Sequence, residues 1–254
     1  FAEESPSDSG GDAIVPVQPP SIHNQTLVLS FDHPSSSGSE SKSEEGNRTS
    51  LGTVEITLAI DASPGCGGVA WPAGEVLARY LARRRTLQGI RALELGSGTG
   101  FVGIVAGKLG AVVAVTDQAP LLDTMRHNVT LNGLSSRVFV HELNWGDPLP
   151  QNLVNNFGTA KDRPFDLILA ADCVYFEPAF PLLVRTLVDL VPICTEPDAG
   201  AHQPEVLFCY KKRRKADKRF FILLKKHFEW KQVEDDPLCD AYMRDGISLL
   251  RLVR

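Results

Sequence analysis

Short apolar runs alternate with helical patterns along most of the chain. Runs of about four to eight apolar residues predict buried strands, whereas apolar residues spaced three and four apart predict amphipathic helices. The predicted strands cover residues 90–95, 111–116, 137–142, 165–171, 205–210 and 247–253. The predicted helices cover residues 73–84, 100–109, 121–131, 178–191 and 216–228. This order predicts an α/β fold in which a mostly parallel sheet carries helices on both faces.

Two further apolar stretches, residues 27–31 and 53–60, precede this alternation. The second stretch alternates and is rich in β-branched residues, so we expect the pair to form an N-terminal β-hairpin within a folded domain over residues 27–254. Segments rich in Ser, Gly and Glu bury too little apolar surface to offset the entropy lost on ordering. The composition therefore predicts a disordered or loosely ordered tail over residues 1–26 and a flexible loop insertion over residues 32–50.

The overall composition narrows the class of protein. Hydrophobic residues make up 43% and charged residues 22% of the 254 residues, which suits one mid-sized domain. A net charge of −5 argues against a general nucleic-acid binder, since a polyanionic partner favours a basic surface. The five scattered cysteines include no Cys-x-x-Cys pair, so we expect neither disulfides nor a metal site. No apolar stretch is long enough to span a bilayer. We expect a monomer in the cytoplasm, with the nucleus as a second location.

A glycine-rich turn follows the first predicted parallel strand and begins a helix. Residues 93–100 read Leu-Glu-Leu-Gly-Ser-Gly-Thr-Gly, which places glycines at 96, 98 and 100 and an acid at Glu94. Glycine allows a tight turn and a close approach of the backbone to a ligand, and the helix N-terminus adds unpaired N–H groups. Asp117 ends the next strand, where a carboxylate can accept hydrogen bonds from both ribose hydroxyls of an adenosine. The pattern thus predicts a site for an adenosine-containing cofactor.

Two cofactors fit this turn. Gly98-x-Gly100-x-x-Gly103 matches the dinucleotide fingerprint, with Asp117 at a suitable distance along the chain. A pyrophosphate, however, disfavours a neighbouring carboxylate, whereas the ammonium and sulfonium of S-adenosylmethionine favour an acid such as Glu94. The methyl donor is therefore the preferred interpretation. An NAD(P)-dependent oxidoreductase and an inactive interaction module remain as alternatives from other classes.

Five segments in a fixed order make the prediction more specific. They are Cys66-Gly-Gly-Val-Ala-Trp71, Leu93–Gly100, Val115-Thr-Asp117, Leu143-Asn-Trp-Gly146 and Ala170-Ala-Asp-Cys-Val-Tyr175. Over about residues 53–254 the chain resembles the family-16 lysine methyltransferases of the methyltransferase-like 21 type. The resemblance implies a Rossmann-like seven-stranded sheet, S-adenosyl-L-methionine as the cofactor, and methyl transfer to a lysine of a protein substrate. The compact length and the first segment look closest to the fungal enzymes that methylate translation elongation factor 1-alpha. A chaperone of the AAA ATPase class, of the valosin-containing protein type, is the alternative substrate.

The resemblance also implies roles for individual residues. The cofactor-binding set comprises Trp71, Glu94, Gly96, Ser97, Gly98, Gly100, Asp117, Trp145 and Ala171. The catalytic pair is Asp172 and Tyr175, in the family's Asp-x-x-Tyr pattern, which is linked with protein substrates. An acid beside an aromatic ring suits a lysine ammonium, because Asp172 can accept its hydrogen bonds and the ring of Tyr175 or Phe176 can hold the cation. We expect Asp172 to bind and orient the lysine rather than to act as a general base, because a carboxylate raises the pKa of a nearby amine.

A basic run is the sharpest local charge feature outside this set. It comprises residues 211–215, Lys-Lys-Arg-Arg-Lys, followed by Lys218 and Arg219. The run follows the strand predicted to end at Tyr210, so it lies at the ligand-binding edge of the sheet. It could contact an acidic protein surface or serve as a nuclear address, with a solvated loop as the plainer interpretation. Arg213 aligns with an arginine of related enzymes, whereas the neighbouring lysines depart from the family pattern.

Overall fold

Among the residues that the computed structural model describes, seven strands form one mixed β-sheet and two more form a separate hairpin. The described residues are 24–34, 51–62, 66–84, 86–157, 165–191, 203–213 and 217–254. The strands are β1 Gln25–Pro34, β2 Leu51–Ile60, β3 Arg91–Leu95, β4 Val112–Asp117, β5 Val138–Glu142, β6 Leu167–Ala171, β7 Glu205–Lys211, β8 Glu229–Gln232 and β9 Ile247–Val253. The helices are α1 Pro72–Ala82, α2 Phe101–Lys108, α3 Leu122–Leu131, α4 Gln151–Phe157, α5 Phe180–Leu190, α6 Asp217–Leu224 and α7 Cys239–Arg244.

The sheet has the strand order β5-β4-β3-β6-β7-β9-β8. The pairs from β5 to β7 are parallel, and β9 runs antiparallel to both of its neighbours. Because β3 and β6 are neighbours, the chain reverses its winding direction between them. Ligands of open α/β sheets bind beside the carboxyl ends of the strands at such a switch point.

The central strands are apolar on both faces because helices cover each face. Alternate residues of β6 show this division, since Leu169 packs in the cluster with α1, α2 and the hairpin, whereas Ile168 packs with α5 and α6. All the central residues of β3, β4, β6 and β7 are buried. A rigid, fully covered sheet therefore holds the ends of β3, β4 and β6 in fixed relative positions.

Two asparagines, Asn128 in α3 and Asn132 directly after it, attach the hairpin to the rest of the domain. Asn128 accepts a hydrogen bond from the Ala59 N–H through Oδ1 at 2.7 Å, and its Nδ2 donates to the Ala59 carbonyl at 3.1 Å and the Thr99 carbonyl at 2.9 Å. Asn132 forms the same two-way contact with Thr57 of β2. Each side chain thus pairs with the backbone of β2 as a neighbouring strand would. Through Thr99, Asn128 also ties the hairpin to the glycine-rich turn.

The predicted α/β fold with its hairpin is confirmed, and the differences are local. β1 extends to Pro34, so the first three residues of the loop predicted at 32–50 pair with β2. Residues 35–50 and residues 1–23 of the tail predicted at 1–26 lie outside the described residues. The prediction was wrong for Gln25 and Thr26, which belong to β1 and pair with β2. Sequence reasoning did not place α4, β8 or α7, and β8 supplies the seventh strand of the sheet. The helix predicted at 216–228 ends at Leu224, where a turn leads into β8.

Candidate active site

A cavity of about 670 Å³ lies at the carboxyl ends of β3, β4 and β6. Ten of the eleven predicted site residues line it, and they come from five separate parts of the chain. These ten are Trp71, Glu94, Gly96, Ser97, Gly98, Asp117, Trp145, Ala171, Asp172 and Tyr175. Gly100 is not among the lining residues. It lies at the N-cap of α2 with a φ of 79°, so it shapes the turn.

The turn between β3 and α2 needs glycine for steric reasons. Gly96 and Gly98 have φ values of 59° and 57°, in the left-handed region that disfavours side chains. A Cβ atom on Gly98 would lie 2.5 Å from the Gly67 carbonyl oxygen, and one on Gly96 would lie 2.9 Å from Cζ2 of Trp145. The backbone of the turn is therefore exposed to the cavity without intervening side chains. Such a surface fits the close approach of a ligand.

Glu94 lies beneath this turn and is only 2% exposed. Its Oε2 accepts a hydrogen bond from the Gly103 N–H of α2 at 2.9 Å. Burial raises the pKa of the Glu94 carboxyl to about 8, against the lowering effect of the Gly103 and Ser97 hydrogen bonds. The charge of Asp117 raises it further. The carboxyl therefore accepts the hydrogen bond of an N–H at the helix end that a pyrophosphate would need. In its ionised form the carboxyl favours a positively charged ligand.

Asp117 ends β4 and faces the same cavity. Its two oxygens accept hydrogen bonds from the Gly98 N–H at 2.8 Å and the Gln118 N–H at 2.7 Å. Burial is the main cause that raises the pKa of this carboxyl, and the two hydrogen bonds lower it. A carboxylate offers about four lone-pair sites, so about two remain for further donors. The arrangement can bind two hydroxyl groups of a ribose.

Two tryptophans lie in the cavity wall. Trp145 follows β5 and packs against Gly96, where its indole closes one side of the glycine turn. Trp71 precedes α1, and the guanidinium carbon of Arg213 lies 5.2 Å from the centre of its ring. An indole offers a flat face for an adenine ring and can also hold a cation. Trp71 contacts a cation of the protein itself.

Asp172 follows β6 with a φ of 58°, an unusual conformation for a residue other than glycine. Its N–H donates to the Cys209 carbonyl at 2.8 Å, which fixes the backbone, and its side chain is 4% exposed. Arg213 donates from Nη1 to Oδ1 at 2.7 Å and from Nη2 to Oδ2 at 2.8 Å. The Lys211 N–H donates to Oδ1 at 3.1 Å. The carboxylate predicted to receive a substrate cation thus already carries a two-point ion pair.

Sequence reasoning did not assign Arg213 to the site. Arg213 lies two residues beyond β7 and Asp172 directly follows β6, and these strands are parallel neighbours. Two signals were available: both residues follow strands at the same edge of the sheet, and Arg213 aligns with an arginine of related enzymes. Within the basic run, Lys212, Lys218 and Arg219 are exposed, and residues 214–216 lie outside the described part of the chain. Arg219 forms an ion pair with Glu177 beside the cavity.

Cys173 also lines the cavity but is unsuited to nucleophilic chemistry. Its thiol is buried and donates to the Leu95 carbonyl at 3.3 Å. Burial raises the pKa of this thiol well above its usual range, so no thiolate forms near neutral pH. Within the described residues, no group of three or more His, Cys, Asp or Glu side chains is placed to hold a metal ion. In the same part of the chain, no helix is long and apolar enough to cross a membrane.

Known proteins share this sequence pattern. A family profile described as lysine methyltransferase matches residues 51–227. Protein-lysine N-methyltransferase EFM6 of Saccharomyces cerevisiae is 39% identical over 208 residues, which cover 75% of this chain and 82% of that protein. Protein N-lysine methyltransferase METTL21A of Danio rerio is 36% identical over 188 residues, or 72% of this chain and 78% of that protein. Among solved structures, Aeropyrum pernix fibrillarin with natively bound S-adenosyl-L-methionine aligns with a TM-score of 0.47 and 17% identity, over 79% of this chain and 90% of that chain.

Proposed function

The chain belongs to the family-16 lysine methyltransferases, and we propose that its substrate is a lysine of translation elongation factor 1-alpha. Its activity as an S-adenosyl-L-methionine-dependent protein-lysine methyltransferase follows from the family match and from two lysine methyltransferases at 36–39% identity over most of the chain. One observation supports this cavity as the reaction site. A single cleft brings Glu94, Asp117 and Asp172 together from the ends of three adjacent strands.

We assign the part of the cavity beside the glycine turn to the cofactor. S-adenosyl-L-methionine, when bound, supplies a methyl group on a positively charged sulfur. Asp117 has free lone pairs for the ribose hydroxyls, and Trp145 offers its indole face to the adenine. Glu94 in its ionised form stabilises the ammonium group of the cofactor. Ala171, which lines the cavity, is assigned to the methionine end on the basis of the family resemblance.

We assign the part of the cavity around Asp172 to the substrate lysine. Tyr175 and Phe176 line this part and offer aromatic faces to the lysine side chain. Free lysine has a pKa of about 10.4, so its proton must leave to water before Nζ can attack the methyl carbon. The new N–C bond forms as the C–S bond breaks, and the protein holds the reacting atoms in line. Asp172 binds and orients the amine through a hydrogen bond.

One feature supports elongation factor 1-alpha as the substrate, since the segment Cys66–Trp71 resembles the corresponding segment of the fungal enzymes that act on this factor. The exposed Lys212, Lys218 and Arg219 lie at the edge of the sheet that bears the cavity, where they would attract an acidic surface of either candidate substrate. The proposed substrate also places the enzyme in the cytoplasm. An AAA ATPase chaperone is the alternative substrate for the same chemistry.

The substrate is tested by labelling a lysate from cells that lack this enzyme. The lysate is incubated with purified enzyme and a methyl donor labelled in its methyl group, and the labelled band is identified by mass spectrometry. We expect elongation factor 1-alpha carrying the label on a lysine, and a labelled AAA ATPase would contradict the proposed substrate. Asp172→Ala should abolish labelling while S-adenosylhomocysteine still binds within a few-fold of the wild-type affinity. Asp189→Ala, which removes an exposed carboxylate paired with Arg185 on α5, serves as the control and should label normally.

A further inference from the structure

The ion pair of Asp172 is built as firmly as any in the described part of the chain. Two nearly equal hydrogen bonds, 2.7 and 2.8 Å long, join the Arg213 guanidinium to both carboxylate oxygens. The guanidinium also stacks over Trp71 at 5.2 Å, and the Arg213 side chain is only 20% exposed. The backbone of Arg213 is held as well, because its N–H donates to Oδ2 of Asp217 at 2.9 Å. These contacts fix the cation inside the cavity wall.

The chemistry of the reaction makes this pairing informative. Methyl transfer needs an uncharged lysine, because an ammonium nitrogen has no lone pair for attack. A carboxylate without a counter-ion would stabilise the ammonium and raise the pKa of the lysine by about 1–3 units. Asp172 alone would therefore bind the lysine but would keep it in its unreactive form.

We propose that Arg213 is a positioning residue that neutralises Asp172, so that the pair accepts a hydrogen bond from the uncharged lysine amine. The inference rests on the proposed lysine site around Asp172. The carboxylate has about four lone-pair sites, of which Arg213 uses two and the Lys211 N–H uses one. About one site remains, enough for a single N–H of the amine. The nitrogen lone pair is then free to attack the methyl carbon.

The other charged and titratable groups around the pair fit this role. Asp217 lies on the far side of Arg213, at the N-terminus of α6, where the helix amides offset its negative charge. Cys173 and Cys209 flank Asp172, and burial raises the pKa of each thiol, so both stay uncharged. Among the described residues, the other groups are the acids Glu94 and Asp117 on the cofactor side, Tyr175 in the cavity wall, and the Lys211 ammonium on β7.

The test is the pH profile of kcat for wild type, Arg213→Gln and Arg213→Lys. The substrate is the purified, unmethylated protein that carries the label in the lysate experiment, whichever protein that is. For Arg213→Gln we expect kcat at pH 7 to fall about tenfold or more, and the midpoint of the profile to rise by about one to two pH units. The difference in kcat between this variant and the wild type should shrink as the pH approaches 10. Arg213→Lys keeps the positive charge, so the midpoint of its kcat profile should lie close to that of the wild type.

A second arginine provides a matched control. Arg84 also forms a two-point ion pair, with both bonds to Glu205 at 2.9 Å, and its guanidinium also lies 5.2 Å from a ring, that of Tyr80. Arg84→Gln should lower thermal stability without moving the midpoint of the kcat profile. The inference is overturned if Arg213→Gln lowers kcat by the same factor at every pH, or if Arg84→Gln shifts the midpoint equally. The identity of the labelled protein tests the proposed substrate separately, so the two failures are distinguishable.

Discussion

The buried carboxyl of Glu94 predicts how the stability of the cofactor-free enzyme depends on pH. The pKa of this group is about 8 in the folded protein, against an ordinary value of 4.5, and burial is the main cause. Protons therefore bind the folded state more tightly than the unfolded chain. The stabilisation is fully present below pH 4.5 and is lost as the pH rises through 8.

The size of the effect on stability follows from the difference between the folded and ordinary pKa values of Glu94. Each pKa unit corresponds to about 1.4 kcal/mol, so the ionisation of Glu94 lowers the free energy of unfolding by roughly 5 kcal/mol at most. Glu94→Gln removes the titration but keeps an oxygen that can accept from the Gly103 N–H. The difference in unfolding free energy between wild type and this variant should therefore change steadily from pH 5 to pH 9, and the wild type should become relatively less stable.

Urea unfolding of both proteins at a series of pH values measures this difference. Saturating S-adenosylhomocysteine should reduce the pH dependence of the wild type, because the ammonium of the ligand pairs with the ionised carboxylate. Two curves that stay parallel between pH 5 and pH 9 would refute the reasoning. They would mean that burial does not raise the pKa of Glu94 in the folded protein.

Two other substitutions test how the glycine turn is held. Gly98→Ala puts a Cβ 2.5 Å from the Gly67 carbonyl at a φ of 57°, so calorimetry should show S-adenosylhomocysteine affinity reduced at least about tenfold, and unchanged affinity would contradict the geometry. Asn128→Ala leaves the backbone groups of Ala59 and Thr99 without their side-chain partner, so urea unfolding should show a loss of roughly 2–4 kcal/mol, and a loss under about 1 kcal/mol would contradict the attachment of the hairpin.

The sequence predicts the sheet well because its central strands are buried on both faces and therefore read as continuous apolar runs. The elements that it does not predict are short and lack this signal. β8 is the four residues Glu-Trp-Lys-Gln at the edge of the sheet, where Trp230 is the only apolar side chain. The six residues of α7 are too few to show helical periodicity. Both elements are stabilised by β9, since β8 pairs with it and α7 packs against it.

The candidate site shows the same division between local and long-range information. The glycine turn and Asp117 are predictable because each follows a recognisable strand in a fixed order. The pairing of Asp172 with Arg213 joins residues 41 positions apart and depends on β6 and β7 being neighbours, which one sequence alone does not specify. Gly100 was predicted from the motif to bind the cofactor. In the structure it shapes the turn at the start of α2 and does not line the cavity.

A crystal structure of the enzyme with S-adenosylhomocysteine tests the central claim most directly. We expect adenosine between the glycine turn and Asp117, with the sulfur facing the ion pair of Asp172 and Arg213. A ligand bound elsewhere, or a cavity that stays empty at saturating ligand, would contradict the assignment of this cleft as the place of methyl transfer.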